Sequence, residues 1–276
     1  MNIDGKTKVY GIIGDPVSHS LSPAMHNAAF AKLKENRVYL PFLVHDVSAA
    51  MQGLRGLGIE GVSVTIPHKE AVIAHLDKID PVAQKIGAVN TIKCERNEKK
   101  TLLTGYNTDW LGAVRPLRKT IDLQKAKVVI IGAGGSARAI GFGMLEEGAD
   151  IMLCSRTPSR GKSLAEDLGC PWCPLNEVET LRGQVLINAT SVGMAPQQDH
   201  SLVPQTVLEG YDVVMDIVYA PLKTRLLNDA EEAGCRVING LEMLLYQGMS
   251  QFELWTGRTP PEEEMRSILM RAVSRR

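Results

Sequence analysis

The sequence predicts an α/β protein of two domains, and three observations carry that prediction. At roughly 100–200 residues per domain, 276 residues make one large or two modest domains. Short β-rich runs alternate with amphipathic helical runs, the pattern of helices layered on parallel strands. Near the middle, an apolar strand runs into a glycine-rich turn and a helix, which opens a second series of the same kind.

The first series has expected strands at residues 8–13, 38–44, 61–66 and 88–93. Ser22-Pro23 and Asp80-Pro81 each place a capping residue before a proline at the first helical position. In the first helix Met25, Ala28, Ala29 and Leu33 share one face at helical spacing. A helix over 108–120, kinked at Pro116, bridges to the second series, whose strands are expected at 127–131, 150–154, 184–188, 212–217 and 236–238. Helices over 241–255 and from 260 or 261 to 273 close the chain. The expected domains are 1–110 with 240–276, and 111–239.

Composition narrows the function classes. Apolar residues at 44% and charged residues at 22% allow a sizeable core. Basic and acidic side chains balance at 31 each. A nucleic-acid surface needs an excess of positive charge, so no nucleic-acid partner is expected, while a local basic patch for a small anion remains open. The first eight residues are polar, without the basic-then-apolar run of a signal peptide. No apolar stretch approaches the roughly 20 residues of a membrane span. A cytoplasmic chain with no membrane partner is expected. Five cysteines do not suggest a disulfide framework. Cys170-Pro-Trp-Cys173 follows what reads as a helix end entering a strand, which is not the setting of a redox pair, and it lacks two further ligands for zinc. It reads as reduced packing cysteines. The six histidines lack metal-ligand spacing, and no metal is expected.

The strongest chemical signal follows Val128-Val129-Ile130-Ile131, a run suited to a strand buried on both faces. Gly132-Ala133-Gly134-Gly135-Ser136-Ala137 fits G-x-G-x-x-A. The first glycine permits a tight turn, the second lets the backbone approach a pyrophosphate, and the small third position allows close helix packing. The next helix places Ala137, Ile140, Gly141, Met144 and Leu145 on one face and stops at Gly148. A turn that needs glycine and binds nothing would share the glycines. The order strand, glycines, helix, second strand favours a Rossmann-type nucleotide site. At the end of the second strand, where an NAD site carries an acidic residue, stand Ser155, Arg156 and Thr157, with Arg160 close behind. Guanidinium groups suit a 2′-phosphate, which favours NADP(H), although two arginines on a solvated loop would look alike.

In the first series, Ser20 and Ser22 can aim hydroxyls at an anion near a helix N-terminus, or Ser22 can be the N-cap alone. Pro67 is expected to open a helix with Lys69 in its first turn, where the dipole disfavours a cation; a solvent-facing lysine is the plainer reading. Asn90 stands at a strand and Asp109 at a helix start. Lys69, Asn90 and Asp109 together offer a proton donor, an amide and a carboxylate to a ligand bearing several hydroxyls.

These segments, in this order, resemble the shikimate dehydrogenase family over residues 9–256. The resemblance rests on H-S-L-S-P, V-T-x-P-x-K, G-A-V-N-T and G-x-N-T-D-x-x-G upstream of G-A-G-G-x-A, with Asn188 to Met194, Asp216 to Tyr219 and Gly240 to Gln247 beyond it. It implies an N-terminal α/β substrate domain and a doubly wound NADP domain with a cleft between them. It also implies reversible hydride transfer between NADPH and 3-dehydroshikimate, giving shikimate, on the route to chorismate and the aromatic amino acids. Lys69 and Asp109 would form the catalytic pair. Ser20, Ser22 and Tyr219 would hold the substrate carboxylate, and Thr65, Asn90, Asp109 and Gln247 the ring hydroxyls. Gly132, Ala133, Gly134, Gly135 and Ser136 would hold the pyrophosphate, and Ser155, Arg156, Thr157 and Arg160 the adenosine phosphate. Ile217 and Gly240 would lie near the nicotinamide. A monomer or homodimer is expected. Ser63 stands where the family commonly has asparagine, and it receives no contact. Quinate, alone or beside shikimate, is the alternative substrate. A nucleotide sensor with an inactive site is the alternative class, disfavoured because Lys69 and Asp109 are both present.

Overall fold

The computed structural model describes residues 3–98 and 100–274; part of the polar N-terminal stretch, Met1 and Asn2, lies outside them. Two units share the chain: Met1–Thr108 with Gln247–Arg276, and Asp109–Tyr246.

The first unit contains β1 (Lys8–Gly14), α1 (Ser22–Lys32), β2 (Arg37–Leu43), α2 (Val47–Gly56), β3 (Ile59–Val64), a 3₁₀ turn (Ala71–His75), β4 (Lys78–Ile79), α3 (Pro81–Ile86), β5 (Thr91–Arg96) and β6 (Thr101–Tyr106). Among the described residues these strands form a six-stranded sheet in the order β2-β1-β3-β5-β6-β4. It is not the all-parallel sheet the sequence suggested: β5 runs antiparallel to both β3 and β6. Only four residues separate β5 from β6, and parallel neighbours need a crossover of a dozen or more. The strand expected at 88–93 begins later, at Thr91. Asp80 caps α3 as expected, accepting from Val82 and Ala83 N–H. The buried face of α1 is Ser22, Met25, His26, Ala29 and Phe30, rotated from the expected one. Phe30 and His26 turn inward because Tyr10, Tyr39, Phe252 and Trp255 offer ring surfaces there.

The second unit holds α4 (Asp109–Arg118), β7 (Lys127–Ile131), α5 (Gly135–Glu146), β8 (Asp150–Ser155), α6 (Pro158–Leu168), β9 (Trp172–Pro174), a second 3₁₀ turn (Leu175–Thr180), β10 (Val185–Asn188), α7 (Gln205–Leu208), β11 (Val213–Asp216), α8 (Arg225–Glu232), β12 (Arg236–Ile238) and the start of α9 (Gly240–Thr256). The last helix, α10 (Glu262–Val273), packs on α1 in the first unit. The second sheet is wholly parallel, β12-β11-β10-β7-β8-β9, so strand order reverses between β7 and β10. In such doubly wound sheets ligands bind beyond the strand C-termini at that reversal. β7 is buried on both faces, as its sequence predicts: Val128 and Ile130 join one core, Val129 and Ile131 the other. On α5 the expected face is buried at Ala137, Ile140, Gly141 and Met144. Leu145 is exposed instead, since it lies one position round the helix from Met144.

Candidate active site

Main-chain hydrogen bonds gather the first unit's motifs at one end of β1 and β3. Thr65 N–H donates to the Ile13 carbonyl and Asp15 N–H to the Ile66 carbonyl, each at 3.0 Å. Val64 N–H donates to Asn90 at 2.7 Å and Val89 N–H to Lys69 at 2.8 Å. The segments bearing Ser20 and Ser22, Thr65 and Lys69, and Asn90 are therefore stitched together by backbone.

Two local expectations need correction. Ser22 is not the N-cap of α1; Leu21 takes that place and Ser22 is the first helical residue. Its N–H donates to Ser20 Oγ at 3.2 Å, and its buried hydroxyl lies beside the Tyr39 phenol. Lys69 does not sit in the first turn of an α-helix. His68 N–H turns back to the Thr65 carbonyl at 2.9 Å, and the chain continues as the 3₁₀ turn from Ala71. A helix dipole therefore plays no part at the half-buried Lys69.

Asn90 is 2% exposed. Its Nδ2 donates to Thr108 Oγ1 at 3.0 Å and to Gln247 Oε1 at 3.4 Å, while its Oδ1 accepts from Thr108 N–H at 2.8 Å and Thr91 Oγ1 at 2.7 Å. Behind it runs a relay that the sequence reading did not find. The Tyr39 hydroxyl donates to Ser63 Oγ at 2.6 Å, Ser63 donates to Gln251 Oε1 at 2.7 Å, and Gln251 Nε2 donates to Thr91 Oγ1 at 2.9 Å. The short Ser63 side chain thus has two internal partners. The available signal was the spacing of Gln247 and Gln251, four apart and so on one helix face.

Asp109 and Tyr219 belong to the second unit. Asp109 is buried as the first residue of α4, directly after the Thr108 that Asn90 anchors. Tyr219 is half-buried beyond β11.

The second unit's glycine loop fits a dinucleotide phosphate. Gly132 adopts φ +131°, in the range that favours glycine, and a Cβ there would lie 2.9 Å from the Ala189 carbonyl oxygen. Gly134 faces open space where its Cβ would point and precedes α5, whose first turn carries Gly135 and Ser136. Helix N-termini of this kind favour anions. Beyond β8, Arg156, Thr157 and Arg160 are exposed, and neither guanidinium makes an ion pair among the described residues. Ser155, expected beside the phosphate, is buried, and its hydroxyl accepts from Trp172 Nε1 at 2.9 Å. At the ends of β10 and β11, Asp216 accepts from Asn188 Nδ2, Val218 N–H and Thr224 Oγ1 at 2.6–3.0 Å. Burial pushes its carboxyl up to about 6, against the pull of those donors. This cluster fixes the turn bearing Ile217. Gly240 N–H donates to the Val218 carbonyl at 3.2 Å, and a Cβ at Gly240 would overlap the Ile217 carbonyl oxygen.

Cys154 and Cys173 are register neighbours on β8 and β9. Burial pushes the Cys154 thiol up to about 12 and raises those of Cys170 and Cys173, the setting of inert packing thiols. Among the described residues no group of three or more His, Cys, Asp or Glu could hold a metal ion, and no helix is long and apolar enough to cross a membrane.

Three family models match the chain: the shikimate dehydrogenase substrate binding domain over residues 12–92, shikimate / quinate 5-dehydrogenase over 116–203, and the shikimate 5′-dehydrogenase C-terminal domain over 240–270. The NADP(+) shikimate dehydrogenase of Pyrococcus abyssi is 48% identical over 97% of this chain and 99% of its own length. A shikimate dehydrogenase solved in complex with NADP+ superposes with a TM-score of 0.91 at 40% identity, over 99% of this chain and 98% of the other. The shikimate 5-dehydrogenase of Thermus thermophilus, solved with NADP(H) and shikimate, gives a TM-score of 0.86 at 37% identity, over 96% of this chain and 100% of the other. With its motifs in order, its two sheets matched and its length spanned almost completely, the chain belongs to the shikimate dehydrogenase family.

Proposed function

We propose that this chain is an NADP-dependent dehydrogenase that interconverts 3-dehydroshikimate and shikimate. The observation that carries the reading is the backbone stitching of the Ser20–Ser22, Thr65–Lys69 and Asn90 segments at one end of one sheet. It supports a site in which hydroxyl, amide and ammonium groups serve a small ligand rich in oxygen. Ser20, Ser22 and Tyr219 hold its carboxylate. Thr65, Asn90, Asp109 and Gln247 hold its ring hydroxyls.

NADP(H), when bound, supplies or accepts the hydride. Gly132, Ala133, Gly134, Gly135 and Ser136 would hold the pyrophosphate, and Arg156, Thr157 and Arg160 the adenosine phosphate, with the buried Ser155 bonded beneath their loop. Ile217 and Gly240 would lie near the nicotinamide. During reduction negative charge grows on the substrate oxygen, and the Lys69 ammonium donates its proton there. In the reverse direction neutral Lys69 takes the hydroxyl proton. Asp109 orients the hydroxyl and Lys69 by hydrogen bonding.

The test follows nicotinamide absorbance with shikimate or quinate, each paired with NADP or NAD, for the wild type and Lys69→Ala. Turnover is expected with shikimate and NADP, and Lys69→Ala should lower kcat by roughly 10²–10⁴-fold, the scale of general acid–base help, with a smaller change in KM. Preference for quinate or NAD would overturn the specificity. Near-normal turnover in the variant would remove Lys69 from the mechanism.

A further inference from the structure

Trp172, the second of the two residues between the cysteines of the C-x-x-C run, has no part in the reaction outlined above. We infer that its indole N–H is a positioning group for the loop that selects NADP over NAD. The inference rests on the reading that Arg156 and Arg160 hold the adenosine phosphate.

The contacts form a short chain. Trp172 Nε1 donates to Ser155 Oγ at 2.9 Å, and Ser155 Oγ donates to the Thr157 carbonyl at 3.3 Å. The same carbonyl accepts Gly161 N–H at 2.9 Å, the first helical bond of α6. Arg156 lies between the two tied residues, and Arg160 directly precedes the third. Both guanidinium groups are exposed, so the backbone that carries them is what the protein can fix in advance. Fixing it lowers the ordering cost that a charged ligand would otherwise meet on binding.

Packing points the same way. A Cβ at Gly161 would overlap both Ser155 Oγ and Trp172 Nε1. Gly161 does not have the positive φ that calls for glycine, and glycine is unfavourable inside a helix. Close approach to this hydrogen bond is what the position requires. Lys162 Nζ lies 5.3 Å from the centroid of the same indole ring, so Trp172 also gathers a third cation to the start of α6. NAD lacks the 2′-phosphate and loses nothing when the arginines are misplaced. The signature is therefore a change confined to NADP.

Trp172→Phe keeps the ring and removes the donor. With saturating shikimate, KM for NADP should rise roughly 3- to 10-fold, the factor carried by one hydrogen bond of ordinary net strength. Its kcat and the KM for NAD should stay within about twofold. Ser155→Ala should show the same selective rise, and the double variant should be no worse than either single one, since both remove one interaction. Gly161→Ala supplies an independent variant with the indole intact and the same expected selectivity. The inference is overturned if KM for NADP is unchanged in Trp172→Phe, if both nucleotides weaken together, or if Ser155→Ala adds its full effect to Trp172→Phe, as a direct phosphate contact would. Arg156→Ala separates the two readings. If it leaves KM for NADP unchanged, the assignment of the loop itself fails. If it raises KM while Trp172→Phe does not, only the role of Trp172 fails.

Discussion

His26 is wholly buried among rings, stacked on Tyr39 with centroids 4.5 Å apart. Neither ring nitrogen has a hydrogen-bond partner among the described residues, although the Gln251 side chain lies close enough to oppose the shift that burial causes. Burial drives the imidazole from 6.5 down to about 3. Between those values the unfolded chain binds a proton that the folded chain refuses, so stability falls as pH falls, by roughly 1.4 kcal/mol per pH unit. Asp216 acts in the opposite sense: its folded value is raised, so its contribution is full below 3.8 and is lost as pH rises through about 6. The difference between two proteins isolates His26. The melting temperature of His26→Phe minus that of the wild type should grow steadily as pH is lowered from 6.5 to about 4.5; parallel melting curves would mean that His26 is protonated in the folded state. The sequence showed the catalytic candidates but not this residue. Helical spacing allowed more than one inward face for α1, and the rings of Tyr39 and Trp255 that choose between them come from distant segments.

At the scale of elements, β7 was legible because an unbroken apolar run beside glycines has few other uses, and the cap at Asp80 was legible because it is local chemistry. β6 was not, and β5 only over residues 91–93, since the polar stretch that follows carries no periodic apolar signal. The Tyr39–Ser63–Gln251 relay joins β2, β3 and α9 and has no signature in any one of them. Gly240 shows how one element meets another. It opens α9 against the turn after β11, with room for no side chain: a Cβ would lie 2.5 Å from the Val218 carbonyl oxygen. Gly240→Ala should cost about 1–3 kcal/mol, the usual penalty of overpacking. It should also raise KM for NADP by moving Ile217, as denaturant titration and nucleotide kinetics would show. Unchanged stability would mean that the turn yields without cost.

For the whole molecule, the glycine loop marked the nucleotide unit from sequence because its backbone demands are severe. The boundaries of the two units were less visible, since one of them falls inside the continuous helix α9. Thr108 is the last residue before the chain leaves the first unit, and Gln247 is the first after it returns. Both bond to the side chain of Asn90. In terms of chain topology, the nucleotide unit is an insertion, and its two ends attach to the host fold at neighbouring points. Attachment points that lie close together favour independent folding of a host and its insert, so the host is expected to survive removal of the nucleotide unit. Because Thr108 and Gln247 both reach the one Asn90 side chain, a bridge of a few glycines, at roughly 3.5 Å each, is expected to join them. The shortened chain would keep one tryptophan, Trp255, whose indole N–H donates to the Ile92 carbonyl at 3.1 Å. It should emit as a buried indole and shift to the red in a single step with denaturant. Emission typical of a solvated indole from the outset would show that the host fold depends on its insert.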